Sequence, residues 1–363
     1  MEHHMRVIMF PGKGNENENR YIDILVEALG AAGVRVEDWH KEITRQTGDI
    51  FHVHWPDVIA NIRARKWQRL RGDLIDFQFF RTIDRIQSRG GALVWTVHNL
   101  LSHDASLTAK PFHGKLMERF IPRVDSAISL TSAGIPDIKR GFPALRDVPF
   151  SVARHPHYRT KLGIASVNSA ARERLNIKPG QRVFSLLGSL RPAKGPDLVL
   201  SAFRDFPKEE AFLILAGSAS EQLQRQLRDL AADMSNVLLD FRRIPENELL
   251  ELYAVTDVLV FPGEDYFNSG TTYTSLSLNV PVIASWTPTN AEIQSLVGPQ
   301  WLHLYKGALT AQTLKAGSDN LVRRGPDIIC DLTEFSPERC AQQHIDAYQM
   351  ALTARKPGRR YTG

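Results

Sequence analysis

Short apolar runs rich in β-branched and aromatic residues alternate with helix-length stretches along almost the whole chain, and they do so in two series. In the first half "RVIMF" (6–10), "DIFHVHW" (49–55), "ALVWTVHN" (92–99) and "SAISL" (126–130) read as strands, with helical stretches at 19–32, 73–89 and 106–121. In the second half the strands are "RVFSLLG" (182–188), "AFLILAG" (211–217), "NVLLDF" (236–241), "DVLVF" (257–261) and "PVIAS" (281–285), separated by helices at 196–205, 220–234, 245–254 and 270–279. Strands that are apolar on both faces and alternate with helices belong in parallel sheets covered on both sides. Two such series predict an α/β chain of two Rossmann-like, doubly wound domains. Ligands in such sheets sit beyond the carboxyl ends of the strands, so a cleft between two facing sheets is the expected site. A length of 363 residues agrees, being too long for one ordinary core. The polar, irregular stretch 152–181 is the expected linker. It divides the chain into 1–165, 166–335, and a final helix (about 337–354) with a basic tail within 336–363. Leu74, Phe77, Phe80 and Ile83 recur about one turn apart, which marks 73–89 as helical.

Composition narrows the function. Apolar residues make up 43% and charged residues 23% of the chain, and no apolar run reaches the ~18–20 residues that cross a membrane. "RVIMF" ahead of Pro-Gly is too short for a secretory signal. Cys330 and Cys340 form neither a metal spacing nor a disulfide framework, as expected of a reducing cytoplasm. The net charge of +5 permits anionic ligands, membranes or nucleic acid. Nucleic acid is disfavoured, because RNP-like aromatics, zinc fingers and long basic tracts are missing. "NIRARKWQRLRG" (61–72) sets Arg63, Arg65, Lys66, Arg69 and Arg71 around Trp67 and Leu70. It reads either as a solvated helix face or as a patch for an anionic membrane surface, where each basic residue contributes roughly 1 kcal/mol. The second reading places the protein at the inner face of the plasma membrane, attached peripherally.

Two loops carry the chemistry. "GSLRPAKG" (188–195) follows a strand and precedes a helix, so it lies at a ligand position. Gly188 lets backbone approach closely, and Arg191 and Lys194 are spaced to reach a diphosphate. The motif is neither GxxxxGK[ST] nor GxGxxG, and a merely basic turn is the plain alternative. "FPGEDYFNSGTTYT" (261–274) runs from a strand through a loop into a helix opened by Ser269-Gly270-Thr271. Such a start offers N–H groups and the positive end of a dipole to an anion, although Ser269 also suits a simple N-cap. Two anion-competent loops at carboxyl ends of one sheet make coincidence much harder to sustain.

The ordered set "GSLRPAKGPDLVLSAF", "AFLILAG", "NVLLDFRRIPENELLELYAVTDVLVFPG" and "NSGTTYTSLSLNVPVIA" resembles the nucleotide-sugar half of GT-B glycosyltransferases of the group 4-like lineage, over roughly 182–285. "FHVHWPD" (51–57) and "VWTVHN" (94–99) look like the acceptor half of bacterial members that build exopolysaccharide or cell-surface glycans. The resemblance implies a hexosyltransferase using a GDP- or UDP-sugar on a carbohydrate, lipid-linked acceptor, with the nucleotide sugar as substrate and no cofactor. Donor binding would fall to Gly188, Arg191, Lys194, Arg243, Asn268, Ser269, Gly270 and Thr271. One departure stands out. Retaining members carry two glutamates eight positions apart, which would fall near Tyr266 and Thr274. Neither is acidic here, and Glu264 and Asp265 lie outside the register. An inverting route with a base from the first domain is therefore expected.

Candidates for that base lie at strand ends: Asp57, His98 and Asp104, with His54 and His103 on the acceptor side. His98 in "TVHN" matches the place of a donor-facing histidine in the lineage. In "HVH" the side chains of His52 and His54 are expected to point apart, so that at least one serves packing only. Either aspartate also suits the role of a helix cap. The sequence holds no D-x-D triplet, so no metal site is expected, and Arg191, Lys194 and the helix start would supply the positive charge. A nucleotide-sugar epimerase of the same architecture and a degenerate sugar-binding module are the rival readings.

Overall fold

A computed structural model of the chain describes residues 5–13, 20–39, 49–64, 69–100, 110–165, 169–263, 269–325 and 327–354. These form two compact units, 1–156 with 334–363, and 157–333. The division falls nine residues ahead of the expected one, and the C-terminal helix is part of the first unit instead of a separate segment.

The first unit runs β1 (Arg6–Phe10), α1 (Arg20–Ala31), β2 (Arg35–Asp38), β3 (Ile50–Val53), α2 (Asp57–Ala64), α3 (Arg69–Ser88), β4 (Ala92–Thr96), α4 (Lys110–Phe120), β5 (Ser126–Ser129), α5 (Ile135–Gly141) and β6 (Phe150–Val152). Its six described strands are all parallel, in the order β2-β1-β3-β4-β5-β6. Strand order reverses between β1 and β3, so the ligand crevice of such a sheet lies at the carboxyl ends of those strands. Helix α14 (Pro337–Ala354) returns to this unit. Its Ala341, Ala347, Tyr348 and Ala351 pack with Val7, Met9, Ile22, Leu25, Val94 and Ile128 in one core.

The second unit runs α6 (Arg159–Leu162), α7 (Ser169–Arg174), β7 (Arg182–Leu187), α8 (Pro196–Arg204), β8 (Ala211–Ala216), α9 (Glu221–Leu230), β9 (Val237–Asp240), α10 (Glu246–Val255), β10 (Val258–Phe261), α11 (Gly270–Ser277), β11 (Val282–Ser285), α12 (Pro288–Val297), β12 (Leu302–Tyr305) and α13 (Ala311–Asn320). The parallel order β12-β11-β10-β7-β8-β9 reverses between β7 and β10. The two anion-competent loops follow these two strands, and so both open at the switch point.

Three strands were not legible: β2, β6 and β12. All are sheet edges, and their burial is broken or partial. An edge strand meets solvent on one side and needs no unbroken apolar run. The expected linker is also partly ordered. Arg159 on α6 donates to the Ser277 and Cys330 carbonyls and to Asn279 Oδ1 at 2.9–3.1 Å, and Arg172 on α7 pairs with Asp257 at 3.2 Å. The apolar row on α3 is buried only in part. Phe80 and Ile83 are buried, but Leu74 and Phe77 are 55% and 56% exposed, and Ile75, Phe79 and Ile86 fill the core instead. A step of three residues falls short of the 3.6-residue turn, so a row spaced by threes drifts off the buried face.

Candidate active site

The second unit builds a cationic cradle. Strand β7 ends at Gly188, whose N–H bonds the Ala216 carbonyl at 2.9 Å. Gly188 takes φ +90° and Gly217 φ +145°, and a Cβ on Gly217 would sit 1.8 Å from the Gly188 oxygen. Only two glycines permit the ends of β7 and β8 to touch backbone to backbone. The chain then passes Arg191 and makes one 3-10 turn, Pro192–Lys194, which swings Lys194 inward until it is 9% exposed. Among the described residues the one side-chain partner of its ammonium is Thr271 Oγ1, at 3.5 Å. Burial first, and then the charge of Arg191, push the Lys194 pKa down to about 8.

Thr271 belongs to the first turn of α11. Ser269 caps this helix, its hydroxyl accepting from the Thr272 N–H at 3.4 Å. The N–H groups of Gly270 and Thr271 have no acceptor among the described residues, and they carry the positive end of the helix dipole. Gly188, Lys194, Ser269, Gly270 and Thr271 thus meet at one switch point, with Arg191 on the same loop. Arg243 is exposed in the loop after β9, at the carboxyl end of the far edge strand. Asn268, Tyr266, Glu264 and Asp265 lie outside the described residues. Thr274, at the second glutamate position of the lineage, turns its hydroxyl back onto the Gly270 carbonyl at 2.8 Å. Gly217 was missed in the sequence, although a glycine closing "AFLILAG" was its signal. A cavity of about 550 Å³ opens elsewhere in this unit, at the amino-terminal strand ends, and is lined by Arg172, Arg182, Asp257 and Arg323 among others. It lies at the end of the sheet away from the cradle.

The first unit offers a site built largely from histidines. His54 directly follows β3, and His98 lies two residues beyond β4. With Trp55, Asp57, Asn99 and His113 they line a small cavity of about 30 Å³. Asp57 occupies the first turn of α2, where a carboxylate also favours the helix dipole. His113, on α4, was not singled out in the sequence. His103 and Asp104 lie outside the described residues. The expectation for "HVH" is overturned: the His52 and His54 rings are 4.1 Å apart, because residues two apart on a strand share a face. His52 is a packing residue, held by Tyr348 Oη at 2.8 Å and Thr96 Oγ1 at 2.7 Å. His155, and His344 from α14, complete a buried set of five imidazoles that includes His98. Burial lowers the pKa of all five, to about 4 for His155 and for His344.

No group of three His, Cys, Asp or Glu side chains among the described residues is arranged to hold a metal ion. Cys330 and Cys340 are buried free thiols, each pushed up to about 12 by burial.

A Rossmann-type unit with a cationic cradle at its switch point, joined to a second parallel α/β unit, is the architecture of a GT-B glycosyltransferase, and the comparisons with known proteins agree. Residues 167–296 match the family described as "Glycosyl transferases group 1", and the chain is a glycosyltransferase of this fold. Among curated proteins it is 26% identical, over 95% of its own length and 92% of the relative's, to a GDP-mannose:glycolipid 4-beta-D-mannosyltransferase of Xanthomonas campestris pv. campestris. Its fold is similar to that of a sucrose-phosphate synthase from Thermosynechococcus elongatus (TM-score 0.63, 15% identity, 97% of this chain and 100% of that one). It is also similar to Anabaena HepE solved in complex with UDP and glucose (TM-score 0.54, 13% identity, 97% of each chain).

The imidazole cluster makes stability fall in mild acid. These folded-state pKa values lie below the unfolded value of 6.5, so the unfolded chain binds more protons and stability rises with pH. It is complete above about pH 6.5 and is lost as the pH falls through about 4. His155 and His344 alone account for about 3 kcal/mol each at pH 4, a large share of a typical domain's ~5–15 kcal/mol. Denaturant unfolding between pH 8 and pH 4.5 should show this loss in the first unit, and a flat profile would contradict it.

Proposed function

We propose that the chain transfers a hexose, mannose before others, from a GDP-sugar to a lipid-linked glycan acceptor in exopolysaccharide or cell-surface glycan synthesis. Lys194 carries the reading. A buried ammonium beside a second cation and an open helix start has no carboxylate partner among the described residues, and a nucleoside diphosphate supplies the anion. The name of the mannosyltransferase relative supports the choice of nucleotide, sugar and glycolipid acceptor. If the diphosphate binds there, it draws the Lys194 pKa back up from about 8. Binding GDP at pH 8 should therefore take up roughly half a proton, read by calorimetry in buffers of different ionisation enthalpy. Charge-assisted hydrogen bonds to phosphate are worth about 1.5–3 kcal/mol, so Lys194→Met or Arg191→Ala should weaken GDP about ten- to a hundredfold. Lys194→Met should also abolish the proton uptake. Unchanged affinity in both variants would remove the cradle from the donor site.

Inversion and metal independence belong to the same proposal. Thr274 offers no carboxylate at the lineage's second glutamate position, which favours direct displacement by an acceptor hydroxyl over a retaining route. An α-linked donor then gives a β-glycoside, the linkage that the relative's name describes. The cradle's cations suit the task of stabilising the leaving diphosphate without a metal. The product formed in excess EDTA should show a β-anomeric proton by NMR. An α-linked product, or activity that returns only with added Mn²⁺, would refute the respective half.

A peripheral membrane site completes the reading. No described helix is long and apolar enough to cross a bilayer. Leu74 and Phe77 point to solvent from α3, the helix that continues the basic stretch 61–72. Bulky apolar side chains next to basic ones suit an anionic interface. Leu74→Ser with Phe77→Ser should lower co-sedimentation with phosphatidylglycerol vesicles several-fold, and binding indifferent to both the substitutions and salt would overturn the assignment.

A further inference from the structure

His54 has one ring nitrogen engaged and one not. Its Nδ1 lies 3.0 Å from His98 Nε2, while its Nε2 is buried and has no hydrogen-bond partner. Two neutral imidazoles share a single proton across that contact, and two assignments exist. If His54 carried its proton on Nε2, a buried N–H would be left without an acceptor. If it carries the proton on Nδ1, that N–H is used and only a lone pair stays unmatched. Buried N–H groups are almost never left orphaned, whereas unfilled acceptors are tolerated more often. His54 Nδ1–H is therefore the donor and His98 Nε2 the acceptor. Neutral His98 then holds its own proton on Nδ1.

The surroundings hold both rings in that relation. His98 stacks on Trp55 at 4.3 Å and 22° and meets Tyr21 edge-on at 4.9 Å. His54 packs against His52, whose two nitrogens are both fixed by Tyr348 and Thr96. We propose that His54 is a positioning residue that locks His98 as the Nδ1–H tautomer. In that form His98 carries its proton on Nδ1 and has no lone pair free to serve as general base. The proposal rests on the glycosyltransferase site reading and deepens it: within the small cavity, the acceptor's proton falls to a group other than His98, namely Asp57 or His113.

Histidine tautomers are read directly by long-range 1H–15N correlation of 15N-histidine-labelled full-length protein at pH 8, with His98 assigned from the signal lost in His98→Gln. The expected spectrum has His98 protonated on Nδ1 in the wild type. His54→Ala should release it to the Nε2–H form that free imidazole side chains prefer, and His54→Asn, which keeps a side-chain N–H near the Nδ1 position, should restore the lock. With lipid-linked acceptor and GDP-mannose, His54→Ala should lower kcat about ten- to a hundredfold with GDP affinity unchanged, and His54→Asn should recover most of it. A wild-type His98 protonated on Nε2 overturns the proposal even if His54→Ala fails to fold, and so does a tautomer indifferent to His54→Ala. Normal Nδ1–H tautomers in a protein that transfers no sugar would sink the functional reading alone and leave the lock standing.

Discussion

An ammonium buried beside a guanidinium is electrostatically costly, and the second unit is arranged around Lys194 in that condition. The cost is not relieved by a carboxylate among the described neighbours. A hydroxyl at 3.5 Å and a helix start surround it instead. Two structural facts impose this. The Rossmann strand order parts the loops after β7 and β10, which makes room at their carboxyl ends. The backbone contact of Gly188 with Gly217 then lets the loop after β7 turn sharply, so that the next 3-10 turn faces Lys194 inward. A site of this kind is preorganised for negative charge before any ligand arrives.

The first unit solves the burial of polar groups in the opposite way. Its inner histidines are neutral, and their hydrogen bonds are made to hydroxyls, to carbonyls and to one another. Neutral imidazoles pack against Tyr21, Trp55 and Tyr348 with little desolvation cost, provided they stay unprotonated. Helix α14 is essential to that arrangement, because it contributes both Tyr348 and His344. The core of the first unit is therefore incomplete until the chain's last helix returns, which explains why the two ends of the sequence share one unit.

Much of this was legible because the alternation of strand and helix is long and regular, and inner parallel strands must be apolar throughout. That two loops open together at the switch point was legible because each is contiguous, with "GSLRPAKG" after β7 and "SGTT" leading into α11. What failed to show depended on distance in the chain or on solvent. Edge strands β2, β6 and β12 lack the continuous apolar run. The row Leu74, Phe77, Phe80, Ile83 steps by three where the helix turns every 3.6 residues, so its first two members leave the buried face. His155 and His344 joined His52, His54 and His98 from 57 to 292 positions away, so nothing local announced a cluster. The error over His52 and His54 was of another kind, since a period of two already places them on one face.

The missing acidic pair acquires a physical meaning in this setting. A carboxylate at Thr274 would stand one helical turn beyond Gly270 and would partly cancel the field at the helix start. With Thr274 bonded back to the Gly270 carbonyl, the described part of the cradle is positive throughout. A departing diphosphate gains negative charge as the glycosidic bond stretches, so a cationic cradle would bind it more tightly in the transition state than in the ground state, and only that difference accelerates a reaction. Help from a carboxylate on the sugar's leaving-group side matters most to a retaining route, in which departure runs ahead of attack. An attacking hydroxyl activated from the opposite side depends on it least. Absence of the pair and presence of the cations are both what the proposed inverting mechanism requires, with leaving-group stabilisation in the second unit and proton removal in the first.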